Sequence, residues 1–482
     1  MSSLRPPPAE PGAAIEGRVE RAIAAGDLEL ALESVQRAVE QIIYRPAFTA
    51  RLFSSPVLDR LCQSIGSAAA AGRSSRSTTW TDATVFLATH VYATGGHSAV
   101  LEDFVRQAGS GPRHVVLTGA VRMWDRSVAQ ARFARLGCRL WFAPRGALKT
   151  KLGWLMDWLA ECSPARLFLF HHHQDAVAVA AAQPQSAKQT VFYHHADHQL
   201  CLGVHLRHAV HVDPHPMGFY NCRTRLGLAA NVYCPITVPD LGPRPVDRGF
   251  PANGESLLTC TVGNRNKIER AYPYAYWEIV PEFLRLTGGR HLHIGNLSAS
   301  AVARLRRGLR ARGLSAEHFE HVHSVPNAWS EFVARGVDAY LCSFPYGGVR
   351  AGIEAMGAGL PVIVHEHRYS RFLGAADATY PGAFRWRTPQ DLWEIARHLD
   401  SDTLGAHARR ARTHYEAFHR EELLRHFLAR PDLAGQFQEP PEQADTVDAP
   451  QAGLDPPTPS VGDVLKPILL RAGRSVARTL WR

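Results

Sequence analysis

The sequence predicts an α/β protein built on two doubly wound parallel sheets, with helices added at its N-terminal end. Three observations carry this. Short apolar runs alternate with helical patterns twice, over 84–193 and again over 257–365. Glycine-containing turns follow several of those runs, where a parallel strand hands over to a crossover helix. A chain of 482 residues with 45% hydrophobic content is long and apolar enough for two sizeable cores.

The elements follow in order. Residues 1–13 are proline-rich and predict disorder. Residues 14–75 predict a helical appendage: Leu28, Ala31, Leu32, Val35, Ala38, Val39 and Ile42 recur at helical spacing, and Gly26-Asp27 is a stop and restart. The segment GDLELALESVQRA reads as one helical hairpin, and a single such unit forms no solenoid. Gly72–Thr79 is a linker. Residues 80–240 predict the first sheet domain, with strands at Thr84–Thr89, His114–Thr118, Arg139–Phe142, Arg166–Phe170 and Gln189–Tyr193. Helices near 98–108, 125–136, 150–162 and 174–182 connect them. Gly242–Asn253, with its prolines and glycines, predicts the interdomain linker. Residues 254–400 predict the second domain, with strands at Leu257–Val262, His291–Ile294, His321–Ser324, Ala339–Cys342 and Pro361–Val364. Residues 405–430 are helical, and 438–460 predict a disordered linker. The last segment, 461–482, predicts a basic amphipathic helix: Arg471, Arg474, Arg478 and Arg482 share one face, and Leu465, Ile468, Leu469, Val476 and Leu480 lie mostly on the other.

Bulk properties exclude several classes. No run of 18 apolar residues occurs, so no spanning helix is expected. The N-terminus lacks the apolar core of a secretory signal, and the eight cysteines are scattered without a C-x-x-C pair. Reduced thiols and a cytoplasmic location follow as expectations. The net charge of +10 is nearly all arginine, since lysine occurs only at 149, 151, 188, 267 and 466. No nucleic-acid motif accompanies that charge, and aromatics do not interleave with it, so no nucleic-acid partner is expected.

Chemistry concentrates where strands end, because ligands of doubly wound sheets bind at the carboxyl ends of strands. Over 337–365, a strand runs into Ser343-Phe344-Pro345-Tyr346-Gly347-Gly348, and a helix starts near Val349 and carries Glu354. Free N–H groups at such a helix start suit a phosphate. Glu354, about one and a half turns in, is placed to reach a ribose hydroxyl, so a nucleoside diphosphate fits. The strand ending at Val262 leads into Gly263-Asn264-Arg265-Asn266-Lys267, and a departing diphosphate needs positive charge. In the first domain, Gly95-Gly96-His97 follows the first strand. The glycines let a substrate approach the backbone. A histidine of pKa about 6.5 suits removal of a hydroxyl proton. Tyr193-His194-His195-Ala196-Asp197-His198 ends the fifth strand, with Asp197 orienting a histidine and His198 or His195 contacting substrate. His171-His172-His173-Gln174-Asp175 ends the fourth and is a further candidate. The histidine spacing fits no compact helical zinc pair, and no metal is expected.

The string over 337–365 resembles the donor-binding half of GT-B glycosyltransferases, which have two facing Rossmann-like domains. Their pattern is D-x-x-L-x-x-(S/F)-P-x-x-x-G-x-x-x-x-E-A-x-x-x-G-x-P-V, with the turn glycine displaced here from Val349 to Gly348. Retaining members of the E-x7-E class carry a glutamate where Tyr346 stands, so the resemblance favours the inverting O-GlcNAc-transferase-like and bacterial N-glycosyltransferase group. That group's P-F/Y-x-G turn and N-x-x-K-I loop are similar to Pro345–Gly348 and Asn264–Ile268. Carried over, Gly347, Gly348, Val349 and Arg350 cradle the diphosphate, and Glu354 holds the ribose. Asn264, Arg265, Lys267, Gly295 and Tyr346 line the same nucleotide-sugar site, and Gly95 and Gly96 are counted with it. His97 matches the Gly-His base of inverting plant glucosyltransferases, helped by Asp197 or His198.

The resemblance implies an inverting, UDP-linked sugar transfer to a hydroxyl or amide, with no cofactor and no metal. The acceptor is a glycan, a lipid-linked molecule or a protein. It also implies a C-terminal helix that returns to the first domain. The helix over 465–482 suits peripheral binding to an anionic membrane surface. A sugar-nucleotide epimerase of the same fold and a non-catalytic nucleic-acid-binding protein are the alternatives.

Overall fold

The structure is a computed structural model. It describes residues 10–440 except 46, 47, 49, 50, 72, 74–78, 94, 122–124, 246, 247, 253, 254, 369, 370, 431 and 434–438. The helix expected over 461–482 and nearly all of the linker expected over 438–460 lie outside the described residues.

The chain forms two compact units. One runs to Cys234 and resumes over Leu424–Glu439, and the other spans Pro235–Leu423. The division falls upstream of Gly242–Asn253. That stretch, expected as a linker, packs on the second unit: Arg244 is buried, pairs with Asp338 at 3.3 Å and lies over the Phe250 ring.

In the first unit, seven strands form one parallel sheet. They are β1 (Thr84–Ala88), β2 (Arg113–Leu117), β3 (Arg139–Phe142), β4 (Arg166–Phe170), β5 (Gln189–Tyr193), β6 (Ala209–Asp213) and β7 (Val232–Tyr233). Their order is β3-β2-β1-β4-β5-β6-β7. The sequence reading found only the first five. In β6, His211 and Asp213 occupy positions that a buried parallel strand normally fills with apolar residues. β7 is two residues long, too short for any periodicity.

Three N-terminal helices, Glu16–Ala24, Leu28–Ile43 and Pro56–Ala70, precede the sheet. Asp27 caps the second by accepting from Leu30 N at 3.0 Å, and Ser55 caps the third by accepting from Leu58 N at 3.0 Å. Their apolar faces share one core with the sheet: Leu32, Val35, Leu58 and Ile65 are buried with Leu87, Val116 and Leu169. Gln36 and Gln63 reach across to the backbone carbonyls of Ala120 and Val179. These helices are therefore built into the first unit.

The second unit holds a six-stranded parallel sheet. Its strands are β8 (Leu258–Val262), β9 (Arg290–Ile294), β10 (Phe319–Val322), β11 (Ala339–Leu341), β12 (Val362–His365) and β13 (Phe384–Trp386), in the order β10-β9-β8-β11-β12-β13. β10 begins two residues before the segment expected at His321–Ser324, because Phe319 supplies its buried anchor. β13, unforeseen in the sequence, is three residues long. In both sheets the first strand in sequence lies inside, and the order reverses beside it, at β1/β4 and at β8/β11. Each such reversal opens a crevice at the carboxyl ends of the strands.

The Ser401–Phe418 helix belongs to the second unit, where Arg412 pairs with Asp240 at 2.6 Å and Tyr415 donates to Val238 O at 2.9 Å. From Leu424 the chain joins the first unit: Phe427 meets Phe104, and Arg166 on β4 donates to the carbonyls of Leu428 and Arg430. All eight cysteines are free thiols. Among the described residues, no helix is long and apolar enough to cross a membrane.

Candidate active site

In the second unit, the loops after β8, β9 and β11 meet at the sheet reversal. Gly295 has φ +138°, and a Cβ there would stand 2.2 Å from Gly263 O. That close approach requires glycine. His321 donates to Gly295 O at 2.8 Å and His293 to Gly263 O at 3.0 Å, which fixes both turns. Asn264 accepts from Asn296 N at 2.8 Å through its side chain. These contacts give Asn264 and Gly295 structural partners within the crevice wall.

Lys267 sits at the centre. Its Nζ donates to Gly347 O at 3.0 Å, so the sequence-distant lysine and glycine turn are brought together. The lysine is only partly exposed, and burial lowers its pKa from the ordinary lysine value. Among the described residues, no carboxylate pairs with it. The Arg265 side chain is 62% exposed and lies 4.0 Å from Glu269.

The turn divides its labour differently from the sequence reading. Gly347 N donates to Leu373 O at 2.7 Å, and a Cβ there would meet Gly374 O at 2.1 Å. Gly347 is thus a packing glycine whose N–H is already used. Tyr346 N donates to Lys267 O, and its ring lies against His367 and under Arg270. Gly348 caps the Val349–Gly357 helix with no side-chain cap. The first N–H groups of that helix have no intrahelical acceptor. Gly348, Val349 and Arg350 therefore form the helix start, with Lys267 beside it. Arg350 Nε lies 3.5 Å from Glu354 Oε1, so the two share one helix face as an ion pair.

In the first unit, Gly95 has φ +133° and starts the Gly96–Gln107 helix. His97, in its first turn, donates from Nε2 to Phe170 O at 2.9 Å. A carbonyl only accepts, so Nε2 carries the hydrogen and Nδ1 holds the lone pair. Nδ1 is buried with no hydrogen-bond partner among the described residues. Burial lowers the His97 pKa to about 4, so the ring is neutral at physiological pH.

His195 stacks at 4.1 Å from His97, and His172 lies 5.2 Å away and bonds Tyr92 Oη through Nε2 at 2.9 Å. One nitrogen from each of His97, His172 and His195 lies within 4.8 Å of the others, a spacing that also suits a divalent metal. This cluster joins the ends of β1, β4 and β5.

Asp197 and His198 take other partners. Asp197 Oδ2 accepts from His215 Nδ1 at 2.7 Å, and His198 Nδ1 stands 4.0 Å from Asp197 Oδ1. His198 packs against His173 instead. Asp197 therefore orients His215, not His97. His215 escaped notice in the sequence because it follows β6, the strand that was missed. Asp175, from the fourth strand end, accepts from Thr89 Oγ1 at 2.7 Å and from Ala178 N at 3.0 Å, a helix cap.

No family model matches the chain, and no curated protein matches it in sequence. Solved structures do match. HepE from Anabaena, in complex with UDP and glucose, is 14% identical over 72% of this chain and 98% of its own, with a TM-score of 0.51. The apo lipopolysaccharide outer core galactosyltransferase WaaB gives the same identity, coverages and TM-score. A glycosyltransferase from Rickettsia africae is 10% identical over 72% of this chain and 97% of its own, with a TM-score of 0.53. At such identities the likeness carries the fold: the chain has the GT-B architecture of two Rossmann-like domains.

Proposed function

We propose that the chain is a glycosyltransferase that moves a sugar from a UDP-linked donor to a hydroxyl or amide acceptor, with inversion. One observation carries this most: the partly buried Lys267 ammonium, without a carboxylate partner among the described residues, stands at the start of the Val349–Gly357 helix, which has no side-chain cap. A partly buried cation beside the N–H groups of a helix start is a site for an anion. A diphosphate supplies the charge, and Glu354 lies one turn further along the same helix for a ribose. The fold is shared with HepE, whose structure holds UDP and glucose.

The step is a single displacement. The acceptor oxygen or nitrogen bonds to the anomeric carbon, and His97 Nδ1 takes its proton. The bond from that carbon to the diphosphate breaks, and its electron pair stays on phosphate oxygen. Lys267 and the helix start stabilise this charge as it develops. Tyr346 stands where the retaining pattern needs a glutamate, which favours inversion. Glycan, lipid-linked and protein acceptors all suit the step.

The test is incubation with labelled UDP-sugars and a panel of those acceptors. UDP release should depend on acceptor and yield an inverted glycosidic bond. An epimerised donor formed without acceptor, or no binding of any nucleotide sugar in thermal-shift assays, overturns the reading.

A further inference from the structure

A second cluster lies deeper in the first unit, outside the crevice residues. His194 follows β5, His211 and Asp213 belong to β6, and Cys222 lies on the Pro216–Thr224 helix. Their exposures are 1%, 8%, 0% and 0%. His194 Nδ1 stands 3.0 Å and His211 Nε2 3.1 Å from the same carboxylate oxygen, Asp213 Oδ1. Cys222 Sγ stands 3.4 Å from that oxygen and 3.5 Å from each of the two ring nitrogens. All four ligand atoms lie within 4.8 Å of one another.

We infer that His194, His211, Asp213 and Cys222 form a structural zinc site. A tetrahedral zinc with bonds of about 2.0–2.3 Å separates its nitrogen and oxygen ligands by about 3.3 Å and holds sulfur about 3.5 Å from each. The five recorded edges, from 3.0 to 3.5 Å, are those of this tetrahedron. The ligand chemistry agrees: two imidazoles, one thiolate and one carboxylate are a borderline-soft set, matched to zinc over magnesium or calcium. The charges cancel, since a thiolate and a carboxylate balance a divalent cation. A neutral complex is what a fully buried site tolerates. Without a metal, three groups crowd one carboxylate oxygen and the buried thiol adds only a weak donor.

The carboxylate is also held from outside. Asn231 Nδ2 donates to Asp213 Oδ2 at 2.6 Å, and Arg223 Nε holds the Asn231 oxygen at 2.8 Å. Such outer contacts orient metal ligands. When zinc binds, the Zn–S bond forms, the Cys222 S–H bond breaks, and its proton passes to solvent.

The metal ties three elements together. It links β5, β6 and the Pro216–Thr224 helix at one point. His194 is adjacent to His195, and the same helix packs on Asp197, where a Cβ at Gly218 would meet Asp197 Oδ2 at 2.1 Å. The site thereby fixes the 194–198 loop. It holds independently of the proposed transfer reaction.

The experiment uses the full-length chain, purified reduced and without a polyhistidine tag. Metal content is read by elemental mass spectrometry, then again after chelation and reloading with zinc or cobalt(II). Wild type should bind one equivalent. The cobalt form should show tetrahedral d–d bands and a thiolate-to-cobalt charge-transfer band. Cys222→Ser should abolish that band, and Cys222→Ser and Asp213→Asn should each weaken zinc binding at least tenfold. His195→Ala should leave stoichiometry and band intact. Circular dichroism checks that each variant is folded, and zinc titration of wild type should raise its melting temperature. Wild type that reloads with less than a tenth of an equivalent overturns the inference. So does a metal lost in His195→Ala but kept in Cys222→Ser, which would place it on the His97 cluster.

Discussion

At the level of single residues, the candidate site depends on groups held in unusual electrostatic states. Lys267 lies beside a helix start, and burial lowers its pKa from the ordinary lysine value. Lys267→Ala should therefore lower kcat/KM by the equivalent of about 2–4 kcal/mol, the usual cost of losing one electrostatic stabiliser. Steady-state kinetics with a UDP-sugar reads this directly, and unchanged kinetics removes Lys267 from the site. His97 offers a buried Nδ1 lone pair, and its pKa lies at about 4 instead of 6.5. His97→Ala should abolish transfer and leave nucleotide affinity unchanged. The pH profile should also lack an acid limb at 6.5: kcat/KM should stay level from pH 7.5 down to about 6, above the range in which the second unit is expected to unfold. A limb near 6.5 that vanishes in a His97 variant would contradict the buried, neutral base. Lys267 and His97 were visible in the sequence because each follows a strand end. The partner of Asp197 was not. The lone Asp197-His198 pairing looked local in sequence, whereas Asp197 bonds His215, eighteen residues on and one strand over.

Between the residue and the domain, glycines and strands explain what the sequence concealed. Gly347 and Gly295 sit in a nucleotide-binding pattern, and both were read as ligand contacts. Each also packs closely on backbone, Gly347 on Gly374 and Gly295 on Gly263. Glycine in a turn has the same sequence signal for either purpose. Gly295→Ala should lower stability by about 1–3 kcal/mol from its backbone angle alone, with more from the collision with Gly263 O. Urea denaturation of the variant checks this. Equal midpoints and slopes would mean that the β8 and β9 loops can separate without cost. The central strands were legible because each is a five-residue segment with three or four apolar residues, bounded by turns. β6 was hidden by the polar residues of the buried cluster, so the feature that masked the strand is the one that gives it a chemical role.

At the scale of the whole molecule, burial of histidine is the common theme, and it makes a prediction about acid. Most strands of the two parallel sheets were legible from alternation, with β6, β7 and β13 the exceptions. That 25 histidines would be so widely buried was not, since histidine suits surface and core alike. In the second unit, His291, His293, His365, His367, His414 and His419 are each less than 9% exposed. Burial lowers His291, His293, His367 and His414 to about 3, and His365 and His419 to about 4. An unfolded histidine titrates near 6.5. Between these values the unfolded chain binds more protons than the folded one, so stability rises with pH. The contribution is complete above about pH 6.5 and is lost as pH falls toward the folded values. Each histidine changes stability by roughly 1.4 kcal/mol per pH unit inside the window, so six remove on the order of 10 kcal/mol by about pH 5. A domain's whole stability is about 5–15 kcal/mol. The second unit should therefore unfold between about pH 6 and 5, before most carboxylates titrate. Thermal melts of the full chain from pH 8 to 5 should show a steep fall below 6.5, and hydrogen exchange should place early loss of protection in β8–β13. A melting temperature that stays level down to pH 5 would mean that these histidines take up protons within the folded state.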